Sequence, residues 1–313
     1  MNVTTNATCI NLYKRFHLTD GHQNFLVTYS ITIIGVSNLI LNALVVALLF
    51  LSKQIQIPSM RLFLYSSLSD ILLSIIAPVS HTFLFKVYGR ESNCTLEIVI
   101  STLIGFFSRI SAYMICLIGY DRYARVKYLN QYKTKITPKY INRLVGIALT
   151  ICVLHRILVS LGLYLDFHQV ATFITIIMDI GFIVFIIVSY VLAAKTIKGY
   201  RRDAANKDLM KSIDKTITKM AKYYLSSIVV FYILYIIFIS IYFSLYVGTT
   251  NTYAKGWLEF IFLCSLMMGL TNSAVNASIF IILNKKARQH LNCGWLTVSP
   301  QQQSSETNET LQS

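Results

Sequence analysis

LEIVISTLIGFFSRISAYMICLIGYDRYARVKY, Leu96 to Tyr128, runs almost without charge from Leu96 to Tyr120 and then packs one acid and three bases into its last eight residues. The apolar part exceeds the roughly 20 residues that a helix needs to cross about 30 Å of hydrocarbon. A transmembrane strand would be nearer 10 residues and polar at every second position, a pattern absent here. The stretch therefore reads as a membrane helix ending in a charged cluster.

Working outward, six more segments have the same character: Phe25 to Leu51, Leu62 to Phe85, Ile141 to Leu165, Val170 to Ala194, Tyr223 to Val247 and Trp257 to Leu283. The whole chain of 313 residues is 55% hydrophobic and only 13% charged, an apolar excess well beyond soluble domains. The expected fold class is an all-α membrane protein, a seven-transmembrane helix bundle. The first segment is too long for a signal-peptide core and lacks a basic flank before it, so it is read as retained.

Positively charged loops stay cytoplasmic, and 21 of the 28 Lys and Arg fall on one side of the seven segments. That places the N-terminus, residues 1–24, outside and the C-terminus inside, as expected for a multi-pass plasma-membrane protein. The net charge of +15 then describes an inner face suited to anionic inner-leaflet lipid, not a nucleic-acid site. Glycosylation triplets at Asn2, Asn6 and Asn93 all fall on the expected outside. Cys9 and Cys94 also lie outside and can form a disulfide. No metal-ligand spacing occurs among the six cysteines. After the 25–283 bundle, residues 284–295 read as a short amphipathic eighth helix with Leu291, Cys293 and Trp295 toward lipid. Cys293 is either a palmitoylation site or a free thiol, and 296–313 reads as a disordered tail.

Polar groups inside hydrocarbon cost energy unless satisfied, so those within the spans stand out: Asn42, Asp70, Ser111, and Asn272, Ser273 and Asn276 of "TNSAVN". With Asp121-Arg122-Tyr123 at the inner end of the third helix, the set resembles the rhodopsin-like (class A) family of G protein-coupled receptors. "LNALVVALLF", "LYSSLSDILL", "DRYARVKYLNQYKTKIT" and "NSAVNASIFIILNKKARQHL" carry the resemblance in order along the chain. It implies a receptor, not an enzyme, that passes an extracellular ligand signal to a heterotrimeric G protein. A sodium ion at Asp70, Ser111 and Asn276 is implied as an allosteric ligand. A helix-gluing hydrogen-bonded network is the alternative reading of those residues. Arg122 is implied to rest against Asp121 and to swing to Tyr190 on activation.

Departures from the family pattern are expected to matter. Ala277 stands where the family has Pro and Phe280 where it has Tyr; Phe231 keeps the sixth-helix aromatic, while Tyr235 replaces a Trp, Ile237 and Phe182 replace prolines, and Ile217 replaces a restraining acid. The short Cys-free loop "DFHQV" resembles the melanocortin branch, with Glu97 the one match to its acidic cluster. Leu270 occupies the position of the retinal-binding Lys and Ile104 that of the aminergic Asp, so neither retinal nor an amine ligand is expected.

The ligand pocket is sought among the buried charges Arg109, Arg156 and Asp179, with Glu97 at the mouth. Arg109 lies 12 residues before Asp121, about 18 Å along the helix, and Asp179 lies at matching depth. Their pair either closes the pocket floor or meets ligand, and Arg156 is the candidate for an anionic ligand group. Two rival functions are a receptor-like protein that is silent or signals without ligand, and a transporter; the repeated halves and Gly/Pro-broken helices common in transporters are not seen.

Overall fold

A computed structural model of the chain describes residues 21–86, 94–128, 131–164, 168–200, 219, 223, 226–234, 237, 241 and 252–293. They form α1 (Gly21–Leu51), α2 (Pro58–Lys86), α3 (Cys94–Tyr128), α4 (Pro138–Tyr164), α5 (His168–Tyr200), α7 (Thr252–Leu283) and α8 (Lys285–Cys293). Of the sixth segment, α6, residues 223, 226–234, 237 and 241 are described, with Ile228–Ile233 in π-helical form. A 3-10 turn, Gln54–Gln56, and a single helical turn, Tyr132–Lys135, complete the described elements, among which there is no strand. Among the described residues, five helices are long and apolar enough to cross a membrane, and six if α7 and α8, bent by 89° at their junction, are counted together.

Helices dominate because a backbone in hydrocarbon must satisfy its own hydrogen bonds. Both faces of most helices are apolar: α4 exposes Ile147, Leu154 and Ile157 and buries Cys152 and Val159. α3 lies at the centre, against α2, α4 and α5. Small residues let the backbones approach. Gly119 of α3 is one such point, where an added Cβ would touch Ser189 Cβ of α5 at 3.6 Å. Gly35 of α1 is a tighter one. Pro78, inside α2, has no N–H to give the Ser74 carbonyl, and an added Cβ at Gly35 would lie 2.5 Å from Pro78 Cγ and 3.2 Å from Ser74 O.

Two boundaries differ from expectation. α3 does not stop at Tyr120 but continues for two turns to Tyr128, so the charged cluster is helical, with side chains four apart on one face. α8 spans Lys285–Cys293 within the expected 284–295. There Ala287 and Leu291 turn inward, with Leu291 packed on the core, rather than Leu291 toward lipid as expected. The expected tail lies outside the described residues.

The α7–α8 elbow is built on Asn284. Its Oδ1 accepts the Ala287 N–H at 3.1 Å, an N-cap, while its Nδ2 donates to Gln54 Oε1 at 2.7 Å. Gln54 is buried and donates back to Asn284 Oδ1 at 3.4 Å. Loss of a cap costs about 1 kcal/mol, and a buried amide left unpaired costs about 1–3 kcal/mol more. Asn284→Ala is therefore expected to lower the melting temperature of the detergent-purified protein clearly, and Asn284→Asp, which keeps the cap acceptor, to lower it less. Equal melting of Asn284→Ala and wild type would show the elbow to be held otherwise.

Candidate functional site

Midway along the bundle, α1, α2, α3 and α7 send polar side chains to one place. Asn38 and Asn42 are one turn apart on α1 and both fully buried. Asn42 Nδ2 donates to Asn38 Oδ1 at 2.7 Å, and Ser273 Oγ of α7 donates to the same oxygen at 2.8 Å. On the other side Ser111 Oγ donates to Asp70 Oδ2 at 3.2 Å and lies 3.3 Å from Ser66 Oγ. Asn272 Oδ1 accepts from Ser227 Oγ at 2.7 Å, which ties α7 to the start of the π-helical stretch of α6.

Asp70 Oδ1 and Asn276 Nδ2 are buried with no hydrogen-bond partner among the described residues. Asp70 and Asn276 both line a cavity of about 10 Å³, room for about one water-sized occupant. Phe63 and Phe280, whose ring centroids are 4.9 Å apart, also line it. A made hydrogen bond is worth about 1 kcal/mol net, and an unmade one at a buried charged group costs about 1–3 kcal/mol or more. The unpaired carboxylate oxygen therefore favours an occupant, and Asp70 with Ser66 and Ser67 of the lining offers the oxygen chemistry that suits a hard cation, while Ser111 sits on the other carboxylate oxygen.

At the end of α3, Asp121 is fully buried and Arg122 nearly so. The resemblance leads one to expect Arg122 to be the partner of Asp121, yet Arg122 Nη1 is 3.9 Å from Asp121 Oδ2. The same oxygen takes a hydrogen bond from Arg125 Nε at 3.2 Å, and Oδ1 accepts from the Tyr132 hydroxyl. Arg125 also donates to Ser59 Oγ at the start of α2, and its Cζ lies 4.9 Å from the Tyr132 ring centroid. Burial, and then the Asp121 charge, raise the Tyr132 phenol well above its usual pKa, so it stays a donor at neutral pH. Arg122 Nε is buried without a partner among the described residues. Tyr190, expected to receive Arg122, is buried on α5 and packs at Gly119, three residues before Arg122. Tyr123, the last member of the triplet, is half-buried and packs against the core.

Toward the opposite end, Arg109 of α3 and Asp179 of α5 form a buried ion pair, with Arg109 Nη2 donating to Asp179 Oδ2 at 2.9 Å. Phe182 lies 5.8 Å from the Arg109 Cζ and meets Tyr113 edge to face at 4.5 Å. Arg156 of α4 lies against Gly105 of α3, where a Cβ would overlap its guanidinium. Thus α3 yields a glycine to Arg156 and an arginine to Asp179 within one helical turn.

Of the remaining expected residues, Phe231 is half-buried within the π-helical stretch. Tyr235, Cys9, Asn2, Asn6 and Asn93, together with the Cys94, Glu97 and Cys293 side chains, lie outside the described residues. Sequence reasoning missed Asn38, Ser66, Ser227, Arg125 and Tyr132. Asn38 had a visible signal, a second amide four residues before Asn42.

Residues 41–280 match the family model described as 7 transmembrane receptor (rhodopsin family). No curated protein matches the chain, so the finer likeness to the melanocortin branch gains no relative.

Proposed function

We propose, from the premise that the chain belongs to the rhodopsin family of seven-transmembrane receptors, that this multi-pass membrane protein carries an extracellular signal to heterotrimeric G proteins. It acts as a receptor and not as an enzyme. Arg122 carries the reading: a buried cation at the end of α3, poorly held by its neighbouring acid and with one nitrogen unpaired among the described residues. Such a group has little to lose by moving. A ligand that prefers one of two packings of the helices shifts the population between them, and Arg122 is the group that a shift toward Tyr190 would re-pair.

The mid-bundle cavity is read as a sodium-type allosteric site. Asp70 and Ser111 would hold the ion and Asn276 would stand beside it, while Asn38, Asn42, Asn272 and Ser273 brace the surrounding helices. The ion would supply positive charge to the unpaired carboxylate oxygen. The ligand pocket is placed around Arg109, Asp179 and Arg156, with Arg156 and Glu97 offered to the ligand. The Lys- and Arg-rich end is read as cytoplasmic and apposed to anionic lipid, with a palmitoylated Cys293. The other end is read as extracellular, with glycans at Asn2, Asn6 and Asn93, a Cys9–Cys94 disulfide and no retinal. A second reading, signalling without ligand, is favoured by the engagement of Asp121 with Arg125 and Tyr132.

Membranes carrying the protein are expected to accelerate guanine-nucleotide exchange on at least one G protein class above membranes lacking it. Added sodium should reduce that exchange, and Asp70→Asn should remove the sodium effect. No exchange on any class, with or without a broad ligand panel, would overturn the receptor reading. An unchanged sodium response in Asp70→Asn would overturn the ion site alone.

A further inference from the structure

We propose that Arg125 is a positioning residue that sets where Arg122 rests, by occupying the carboxylate that would otherwise hold it; the signalling half of this inference rests on the receptor reading above. α3 continues as a helix to Tyr128. Because that segment is helical, Arg125 stands one turn beyond Asp121 on the same face, whereas Arg122, the next residue, projects about 100° around the axis. Spacing alone therefore gives Arg125 the better approach to Asp121.

The surroundings fix that approach. A carboxylate presents two oxygens, and at Asp121 both are engaged: Oδ1 by Tyr132, Oδ2 by Arg125 at 3.2 Å. Arg122 reaches only to 3.9 Å, beyond hydrogen-bond distance. Arg125 is held from two further sides, by the buried Ser59 hydroxyl of α2 and by the Tyr132 ring beneath it. A guanidinium has five donors in a rigid fork, so one Arg can bridge Ser59 and Asp121 together. The result is a clasp joining α2, α3 and the Tyr132–Lys135 turn, from which Arg122 is excluded. Its orphaned Nε is the corresponding cost.

In this arrangement the usual sense of the acid is inverted. Asp121 does not restrain Arg122 while Arg125 is present, and removing Arg125 frees the carboxylate to capture Arg122. The Arg125 side chain is 34% exposed, so the effect is that of a partly screened pair. Such pairs shift a population by about two- to fivefold.

Two thermodynamic cycles and one signalling series test this. In melting of the purified protein, Arg125→Ala and Asp121→Asn should be non-additive, and Arg122→Ala and Asp121→Asn should be additive. Coupling stronger for Arg122 than for Arg125 would overturn the clasp, whatever the protein signals to. In ligand-free nucleotide exchange at matched membrane density, Arg125→Ala should lower output about two- to fivefold, and Arg125→Lys should lower it less. Adding Asp121→Asn to Arg125→Ala should restore the output, a reversal that loss of packing alone does not give. Unchanged or raised output in Arg125→Ala, or no restoration, would overturn the proposal. Silence of the wild type and every variant, ligand-free and across the ligand panel, would instead remove the receptor reading, with the melting cycles still deciding the clasp.

Discussion

Replacing Arg122 by Ala is expected to abolish G protein activation, with or without ligand, while the protein still reaches the cell surface. The two halves of that expectation have different physical sources. Folding loses little, because the ion pair that Arg122 makes is long, at 3.9 Å, one of its nitrogens has no partner among the described residues, and Asp121 keeps its hydrogen bonds from Arg125 and Tyr132 when Arg122 is gone. On the proposed receptor reading exchange should be lost, because no other described cation is buried at this end of α3 beside Tyr190. Arg122→Lys keeps the charge but loses the planar fork, so it should retain a small part of the exchange. Surface labelling and nucleotide exchange on the same cells check both halves. Unchanged exchange in Arg122→Ala would remove Arg122 from the switch.

The largest expected loss of stability comes from Asp179→Ala. It would leave the Arg109 guanidinium buried without its carboxylate, and breaking a buried pair from one side costs about 3–5 kcal/mol. That is a large part of the 5–15 kcal/mol that holds typical domains together, so surface density should collapse. Replacing both charges, with Arg109→Met and Asp179→Leu, removes the uncompensated charge and should recover most of the density, since apolar pairs of similar volume often substitute for buried ion pairs. Phe182 and Tyr113 beside the pair offer the apolar wall for such a replacement. Surface density and melting temperature of the single and double variants decide it. A single variant that folds as well as wild type would show that the pair does not close this part of the bundle. A recovered double variant that still signals would assign the pair to structure, and one that folds without signalling would assign it to the ligand.

The helices were legible in the sequence because hydrocarbon imposes length and apolarity on every span, and so were the polar residues that break those rules. Asn42, Asp70, Ser111 and Ser273 each interrupt an apolar run, and the structure brings them into one connected region. Ser66 and Ser227 were not legible. A serine in a helix can satisfy itself on the carbonyl four residues back, as Ser189 does on Phe185 at 2.8 Å, so its presence announces nothing. Arg125 was hidden for a different reason. It reads as one more base in a charged run until α3 is known to continue past Tyr120, and only then does it share a face with Asp121. The contact of Arg156 with Gly105 crosses between two helices and depends on their rotation about their own axes, which composition does not encode. Tyr235 and the rest of the expected toggle region beyond Phe231 lie outside the described residues.

The reciprocal amide link between Gln54 and Asn284 has a mechanical consequence. It moors the α1–α2 turn to the α7–α8 elbow, so one side of the Asp121 end behaves as a fixed jamb. A bundle anchored in this way cannot widen evenly like an iris. The α1–α2 turn and the α7–α8 elbow therefore form one mechanical unit, and any opening at that end carries the two together.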